Sequence, residues 1–436
     1  MVRAHTPSSR RYAIIGGGAA GLGLAKTLAE RGIEFVLFEA EDDFGGNWYF
    51  GKPCGRVYES THLISSKRNT EFSDFPMPAD YPAYPNHRQV LEYLRQFARH
   101  FDLYRQTRFG ARVASLAPAD GGWRLALASG ETADFEGVFV ANGRLQQPLQ
   151  PRYPGTFEGE VVHAVDYRSA EVFRGKRVLV VGGGNSGCDI AVDAAGIAAG
   201  TWHSMRRGYH FMPKFVHGRP TPEWMMEAAG AFPDEAAFWR HAQATFKAAG
   251  FDGVDYGLPA PDHAIDQAHP IMNSRLLYHI GHGDIAPKPD VERFEGRRVR
   301  FVDGSTAEVD LVLFATGYRV ALPFLAPEHL DWQGAWPDLF LHVFHRRYDN
   351  LFFVGYHNAP SGLGNVTNSV SRCLAAYLRA RERDTPAFRT FRQLTRTARP
   401  RLGHERFIAT ERHGAEVDLW KYVRALNFVR GKLEAA

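Results

Sequence analysis

The stretch KRVLVVGGGNSGCDIAVDAAGIAAGTWHSMRR, residues 176–207, decides the fold of this chain. An apolar, β-branched run over residues 177–181 is typical of a buried parallel strand, and residues 188–195 follow the pattern of a helix. Between them lie the glycines of a G-x-G-x-x-G motif: Gly182, Gly184 and Gly187. Such glycines make a tight turn, admit a pyrophosphate to the backbone and let the helix pack on the strand. The stretch therefore predicts a dinucleotide-binding site.

Two arginines follow this motif where the adenosine ribose of a dinucleotide is recognised. Arg206 stands nineteen residues after Gly187, and Arg207 comes next. A carboxylate at this place binds a ribose 2′-hydroxyl, whereas an arginine suits a 2′-phosphate. This half of the chain therefore predicts an NADPH site.

The same pattern occurs 166 residues upstream. Residues 12–15 and 35–38 are predicted strands, and residues 22–30 are the predicted helix between them. The glycines are Gly16, Gly18 and Gly21. Glu39, eighteen residues after Gly21, is acidic and favours a free 2′-hydroxyl, as in FAD or NAD. Opposite charges at the two ribose positions indicate two different dinucleotides.

Composition narrows the class of protein. The 436 residues suffice for two domains, and the hydrophobic and charged fractions of 44% and 23% are those of a soluble globular protein. A net charge of +4 without a long basic block disfavours nucleic acid as a partner. No apolar run is long enough to span a membrane, and we expect the first ten residues to be a disordered tail.

The three cysteines lie far apart, at positions 54, 188 and 373, with no C-x-x-C motif. They favour a reducing, cytoplasmic compartment and argue against a disulfide reductase, which needs a cysteine pair. The histidines form no pattern of metal-ligand spacing, so no metal is expected.

Further elements can be placed between and after the two motifs. Asn86-x-x-Gln89 forms a capping box that opens a predicted helix over residues 88–100. Strands 113–116, 123–128 and 132–135 predict a small antiparallel meander, and residues 137–142 and 309–314 predict buried strands. A helix is predicted over residues 366–378, with Asn365, Thr367 or Asn368 as its cap.

Two segments have a less definite role. Residues 210–285, with a predicted helix at 236–248, form an insertion that is either a substrate or lid element or a peripheral pair of packing helices. Residues 379–436 are basic with a helical pattern, and are predicted to wrap the surface or to make an oligomer contact, as in a homodimer.

Two motifs make the chain resemble a known family. The pattern Phe157-x-Gly159-x-x-x-His163-x-x-x-Tyr167 is similar to the identifying sequence of the class B flavin-dependent monooxygenases. Residues 314–318, FATGY, resemble that family's second motif. Tyr167 resembles the flavin-containing monooxygenase branch, because the Baeyer–Villiger branch has tryptophan followed by proline.

The resemblance implies an α/β fold with two Rossmann-like dinucleotide-binding domains, the NADP domain inserted into a discontinuous FAD domain. The predicted boundaries are 1–170 and 305–436 for the FAD domain and 171–304 for the NADPH domain. The residues implied to hold FAD are Gly16, Gly18, Gly21, Glu39, Gly46, Asn47, Trp48 and Val113. The residues implied to hold NADPH are Gly182, Gly184, Asn185, Ser186, Gly187, Arg206 and Arg207. Trp48 has an alternative interpretation, a core tryptophan in a loop.

The resemblance also implies the reaction. NADPH reduces FAD, O2 adds to the flavin, and the C4a-hydroperoxide transfers oxygen to a soft nitrogen or sulfur nucleophile of a small molecule. The family often has an asparagine in an N-x-S-K setting at the flavin, where this chain has Ile64. The candidate catalytic contacts are then Ser65, Ser66, Lys67 and Asn185. Two alternatives stay open: a Baeyer–Villiger ketone monooxygenase, and an uncoupled flavin NADPH oxidase or redox-sensing flavoprotein, which Ile64 favours.

Overall fold

The computed structural model describes residues 11–359 and 362–435, and the predicted disordered tail at residues 1–10 lies outside them. Two parallel sheets organise the chain. In the described part, none of the helices combines the length and apolar character needed to cross a membrane.

The first sheet has seven strands built from both ends of the chain. Their order across the sheet is Leu339–Phe340, Phe344–His345, Leu351–Phe353, Gly137–Val140, Tyr12–Ile15, Phe35–Phe38 and Thr107–Arg108. The strands from Leu351–Phe353 onward run parallel, and the first two are antiparallel additions at the edge. From the strand Tyr12–Ile15 the chain goes first to Phe35–Phe38 on one side and later to Gly137–Val140 on the other, so the carboxyl end of Tyr12–Ile15 lies at a topological switch point.

The second sheet repeats this arrangement with five parallel strands from the middle of the chain. Their order is Glu160–His163, Leu311–Phe314, Arg177–Val181, Gly200–Ser204 and Ala286–Lys288. The strand Arg177–Val181 is again central, with the chain departing to one side and returning on the other. The predicted fold, two Rossmann-like domains with the second inserted into the first, is confirmed.

The sheets bear on the predicted domain boundaries. The outer strands Glu160–His163 and Leu311–Phe314 belong to the second sheet, so sheet membership extends beyond the range 171–304 on both sides. The exact boundaries stay a prediction.

Smaller strand groups and helices surround the two sheets. The antiparallel meander is formed by Val113–Ala119, Gly122–Leu127 and Thr132–Phe135, and a second antiparallel group, Val291–Gly296, Arg298–Phe301 and Thr306–Glu308, has Gly155–Phe157 at its edge. The α-helices span Ala19–Glu30, Lys67–Thr70, His87–His100, Asn185–Ala195, Thr221–Ala229, Glu235–Ala248, Leu276–Gly281, Leu363–Glu382, Pro386–Thr397 and Leu419–Glu434.

The sequence predicts two helix caps, and the structure can be compared with each. The Asn86 side chain accepts from the N–H groups of Arg88 and Gln89, each at 3.0 Å, and Gln89 Oε1 accepts from Asn86 N at 3.0 Å, so the predicted capping box is present. The cap predicted at Asn365, Thr367 or Asn368 is wrong, since the helix begins three residues earlier at Leu363, after Gly362. At that cap Gly362 N donates to Asn69 Oδ1 at 3.4 Å, and the backbone packs closely on residues 69–72.

The described residues form five apolar cores, three of which bring together the sheets and the helices of the glycine motifs. The helices Ala19–Glu30, His87–His100 and Leu363–Glu382 cover one face of the first sheet in the largest core. The meander packs on the opposite face, and the helix Asn185–Ala195 covers the second sheet. Both glycine motifs therefore lie where a rigid sheet meets a packed helix.

Candidate functional site

The first glycine turn, Gly16–Gly21, leaves the central strand of the first sheet. Gly16 has φ +108°, and a Cβ there would lie 2.6 Å from Ala141 O at the end of the neighbouring strand. A Cβ on Gly21 would lie 2.0 Å from Gly16 O, so the helix packs on the turn with no room for a side chain. Bare backbone is therefore required at both positions.

Glu39 ends the next strand and is bonded back to this turn. Its Oε2 accepts from Gly17 N at 2.6 Å, and its Oε1 accepts from Glu41 N at 2.9 Å. Glu39 is buried, which raises the pKa of its carboxyl, while the two backbone donors act in the opposite direction. A carboxylate oxygen has more than one lone pair, so a fixed acceptor is available at the predicted ribose position.

The loop predicted to contact the flavin lies against the first glycine turn. Gly45 N donates to Gly17 O at 3.3 Å, and Gly46–Trp48 form a single 3₁₀ turn. A Cβ on Gly18 would stand 3.6 Å from Gly46 Cα, so two bare backbones face each other in a cradle suited to a pyrophosphate. The residues present therefore fit an FAD-binding turn.

Three further predicted FAD contacts lie around that cradle. Asn47 is exposed, with its carbonyl accepting from Arg56 N at 2.8 Å. Trp48 is half-buried and packs on the first-domain core, so part of its surface serves the core, as the alternative interpretation proposes. Val113 begins the meander, two residues after Ala111, whose N–H donates to Glu39 O at 2.8 Å.

The second glycine turn, Gly182–Gly187, has the same geometry. Gly182 has φ +127°, and its Cβ would lie 2.4 Å from Ala315 O. A Cβ on Gly187 would lie 1.9 Å from Gly182 O. Gly184 caps the helix Asn185–Ala195 without a side-chain hydrogen bond, so the amino end of this helix is open to an anion.

The two predicted phosphate-binding arginines differ in their surroundings. Arg206 is exposed and forms no hydrogen bond or ion pair with any residue in the ranges 11–359 and 362–435. Arg207 is half-buried and paired with Asp262 of the insertion, at 3.1 Å from Nε and 3.0 Å from Nη2. Arg206 is therefore a cation without a partner in the described residues, at the predicted ribose position.

Asn185 and Ser186 open the helix that follows the second turn. Asn185 Oδ1 accepts from Met272 N at 3.0 Å and so ties the insertion to the turn. Ser186 is exposed. Tyr58 of the first domain donates to Asp189 in the same helix at 3.1 Å, and Asn273 donates to it at 2.6 Å. This helix therefore joins both domains and the insertion.

The segment predicted to face the flavin lies where these parts meet. Ser65 and Thr70 hydroxyls share a hydrogen bond of 2.6 Å, and Ser66 is fully buried with no partner for its hydroxyl in the described part of the chain. Ile64 is 44% exposed. Lys214 of the insertion donates to Leu63 O at 3.2 Å, which brings a cation next to this segment.

Lys67 has a different placement from the other predicted catalytic contacts. Its ammonium donates to three backbone carbonyls, those of Pro78, Ala79 and Tyr81, at 3.2, 2.9 and 2.6 Å. An ammonium has three N–H donors, so none is left for a second partner. This placement argues against the predicted catalytic role of Lys67 and for holding the loop at residues 78–81.

Sequence reasoning missed two residues that support the second turn. His203 is buried and its Nε2 lies 2.9 Å from Gly182 O, and burial lowers the pKa of its imidazole to about 4. Asp189 bridges the domains, and burial raises the pKa of its carboxyl to about 6. Asp189 could have been noticed as one of two acids, with Asp193, among the apolar residues of this helix, but no local signal assigns its partners.

Comparison with known proteins defines the family. A family model described as flavin-binding monooxygenase-like matches residues 9–355. Flavin-containing monooxygenase 5 of Oryctolagus cuniculus is 35% identical over 340 residues, 73% of this chain and 63% of that protein. Flavin-containing monooxygenase 1 of Homo sapiens is 32% identical over 387 residues, 80% of this chain and 69% of that protein.

The fold comparison agrees. A flavin-containing monooxygenase from Stenotrophomonas maltophilia superposes with a TM-score of 0.66 at 22% identity, covering 84% of this chain and 98% of that one. The chain belongs to the flavin-binding monooxygenase-like family. Membership implies the use of FAD and NADPH, as the two glycine turns predict. The chain spans less than two thirds of the rabbit relative's length.

Proposed function

We propose that this chain is an NADPH- and O2-dependent flavin monooxygenase that oxygenates a soft nitrogen or sulfur nucleophile of a small molecule. One observation carries the proposal: two glycine turns of the same geometry, with a buried acid at one ribose position and a free arginine at the other. Family membership supplies the type of reaction.

The first turn is the proposed FAD site. Gly16, Gly18 and Gly21 give the pyrophosphate access to the backbone, while the fixed Glu39 carboxylate accepts from the adenosine ribose. Gly46, Asn47 and Trp48 close over the turn, and Val113 lines the side toward the meander. When bound, FAD supplies hydride acceptance and reaction with O2, and the chain supplies its orientation.

The second turn is the proposed NADPH site. The helix Asn185–Ala195 offers free N–H groups and a partial positive charge at its amino end to the pyrophosphate. Arg206 binds the 2′-phosphate, and Arg207 assists while remaining paired with Asp262. Asn185 and Ser186, the first two residues of this helix, would be further contacts of the coenzyme.

The reaction takes place, on this proposal, beside residues 64–66. The buried hydroxyl of Ser66 needs a hydrogen-bond partner, because an unpaired buried polar group costs about 1–3 kcal/mol. Because this hydroxyl has no exposed surface in the ligand-free chain, a flavin edge would provide that partner only once the atoms that cover it move. Ser65 and the Asn185 amide are further polar contacts, whereas Lys67 is left out because its donors are used.

The motif that ends in Tyr167 favours oxygenation of nitrogen or sulfur over oxygenation of a ketone. Tyr167 is buried, and its hydroxyl donates to Asp193 at 2.9 Å, which makes it part of the domain junction. Arg168 follows where the Baeyer–Villiger branch has proline. A flavin NADPH oxidase is the second candidate, favoured by Ile64, which offers no hydrogen bond at the flavin edge.

Incubation with NADPH, ¹⁸O2 and a panel of amines, thioethers and ketones tests the proposal. We expect one labelled oxygen in an N- or S-oxide, with NADPH consumed in proportion to product. A labelled ester would select the Baeyer–Villiger alternative. NADPH consumption matched by H2O2, without labelled product from any substrate, would select the oxidase.

Three further points belong to the proposal. A cytoplasmic location is supported by three unpaired cysteines, of which Cys188 and Cys373 are buried. The homodimer is supported by Trp420 and Phe428, which are 63% and 67% exposed on the last helix; sedimentation would test it. The insertion, whose segments contact Asn185 and Leu63, is proposed as a substrate element over the cleft.

A further inference from the structure

A segment outside the family match reaches the second glycine turn. Residues 399–418 follow the helix Pro386–Thr397 and are anchored to the first domain and the insertion. Asn358 N donates to Ala415 O and Val417 N donates to Asn358 O, both at 2.8 Å. Ile408 N donates to Gln267 O of the insertion at 3.0 Å. The segment therefore crosses the cleft between the two dinucleotide sites.

Arg412 lies in this segment, in the single 3₁₀ turn Glu411–His413. Its Nη1 stands 3.8 Å from the place where a Cβ on Gly184 would lie. Gly184 is the residue that caps the helix Asn185–Ala195. The guanidinium is thus presented directly to the amino end of the helix.

The turn that carries Arg412 is firmly held. Trp336 Nε1 donates to Glu411 O at 2.7 Å, and a Cβ on Gly414 would approach Trp336 to 2.5 Å. Glu416 is fully buried and receives His269 Nε2 at 2.6 Å and the amide of Asn358. Arg412 is therefore aimed by rigid neighbours on both sides.

The guanidinium itself has no acceptor. Arg412 forms no hydrogen bond or ion pair with residues 11–359 or 362–435. Arg144, bonded to Asn358 Oδ1 at 2.6 Å, is a second cation near Arg412. Burial lowers the pKa of the Arg144 guanidinium, the charge of Glu416 raises it, and the charge of Arg412 lowers it. Glu416, the acid whose charge acts on Arg144, receives His269 Nε2 at 2.6 Å and the amide of Asn358.

A guanidinium without an ion-pair partner in the described residues that faces a helix amino end forms an unfavourable arrangement unless an anion binds between them. The ribose end of the coenzyme already has Arg206, which is distant in sequence and follows a different strand. What remains without a side-chain cation is the pyrophosphate at the glycine turn.

We propose that Arg412 binds the pyrophosphate of the coenzyme, so that the C-terminal segment completes the NADPH site. This inference rests on the proposed function for the identity of the ligand. Arg412 would then contribute equally to NADPH and NADH, which share the pyrophosphate, whereas Arg206 discriminates between them.

Calorimetric titration of the flavin-loaded protein with NADP+, NAD+ and adenosine 2′-monophosphate tests the proposal. A charge-assisted hydrogen bond is worth about 1.5–3 kcal/mol, so Arg412→Ala should raise the Kd of NADP+ and NAD+ alike, by about ten- to a hundredfold. Adenosine 2′-monophosphate lacks the pyrophosphate, and its Kd should be unchanged. Arg206→Ala should weaken adenosine 2′-monophosphate and NADP+ but not NAD+.

Arg401→Ala is the matched control, an exposed arginine of the same segment without a hydrogen bond or ion pair in the described residues, and should change no Kd. An unchanged Kd for NADP+ in Arg412→Ala would overturn the proposal. An equal loss of affinity for adenosine 2′-monophosphate in Arg412→Ala would also overturn it. So would a lower Tm of Arg412→Ala together with an Arg412→Lys variant that does not recover NADP+ binding. A protein that binds NADP+ through Arg412 but oxygenates nothing would refute the proposed activity and leave this inference standing.

Discussion

The two glycine turns have the same backbone geometry but different surroundings. In each, the first glycine faces a carbonyl at the end of a neighbouring strand, and the last glycine faces the carbonyl of the first at about the same distance, 2.0 and 1.9 Å from a virtual Cβ. Over the first turn lies the backbone of Gly46, whereas over the second lies the side chain of Arg412. At the ribose positions a buried acid contrasts with an exposed arginine.

The difference shows how one motif serves two kinds of ligand. The first turn is covered by a loop bonded to it, and its acid is fixed by two backbone donors, as expected for a ligand that stays bound. The second turn is met by the exposed side-chain cations Arg206 and Arg412, as expected for a coenzyme that must enter and leave. The first turn, which is covered by backbone, therefore suits a ligand that stays bound, and the second turn, which is met by charged side chains, suits a ligand that exchanges.

The largest expected effect comes from filling one turn at a time. Gly21→Ala places a Cβ 2.0 Å from Gly16 O, and Gly187→Ala places one 1.9 Å from Gly182 O. Overpacking of this kind commonly costs about 1–3 kcal/mol or more. Gly21→Ala should purify with little flavin, and Gly187→Ala should keep flavin but lose NADP+ binding, as measured by absorbance and calorimetry.

Gly230→Ala, where nothing lies within 4 Å of a Cβ, is the control and should behave like the wild type. If Gly187→Ala lost flavin and Gly21→Ala kept it, the assignment of the two turns would be reversed.

The next largest effect should come from Arg206, at the predicted ribose position of the second turn. Arg206→Ala removes the free cation and should lower kcat/KM for NADPH by about ten- to a hundredfold, because a charge-assisted hydrogen bond contributes about 1.5–3 kcal/mol. NADH kinetics should hardly change. Arg207→Ala should have a smaller effect, since Arg207 is paired with Asp262. An equal loss with both coenzymes would assign Arg206 to the fold instead.

His203, which contacts the second glycine turn, and Glu39, which contacts the first, should make stability contributions that change in opposite directions with pH. Burial lowers the pKa of His203 to about 4, so its contribution to stability is present above about pH 6.5 and is lost as the pH falls toward 4. Burial raises the pKa of Glu39, so its contribution is lost as the pH rises. Protonation of His203 would also create a buried N–H at Nδ1, which has no partner in the described residues.

His203→Gln keeps a donor for Gly182 O and does not titrate. Between pH 7 and pH 5 the wild type should lose up to about 2 kcal/mol of unfolding free energy through this residue, at 1.36 kcal/mol for each pH unit below 6.5. Urea denaturation at both pH values measures it, and the variant should lose correspondingly less. The same loss of unfolding free energy in the wild type and in His203→Gln would show that His203 does not cause the pH dependence.

The smallest effect concerns Ile64, where the two sites meet. A preorganised donor beside developing charge is commonly worth a few kcal/mol, and isoleucine offers none. We expect part of the NADPH to yield H2O2 even with a good substrate, and Ile64→Asn to lower that fraction several-fold. Ile64→Val, which keeps an apolar side chain, is the control. Tight coupling in the wild type would mean that Ser66 or the bound coenzyme already provides the contact.

The sequence predicted what is encoded within about twenty residues. Both turns, the charges of Glu39 and Arg206, and the Asn86 capping box are local patterns, and the structure has them at those positions. The missed features depend on distant partners. Lys67 is occupied by the carbonyls of a loop eleven to fourteen residues later. The helix cap at Gly362 is set by packing on residues 69–72, and Arg412 reaches Gly184 across 228 residues of sequence.

The most direct test of the central claim is anaerobic reduction of the bound flavin by NADPH and by NADH at equal concentrations. We expect a yellow protein whose flavin, released as FAD, is bleached by NADPH at least tenfold more efficiently than by NADH. Bleaching at equal efficiency would contradict the assignment of the second turn. A protein that holds FMN or no flavin after gentle purification would contradict the assignment of the first.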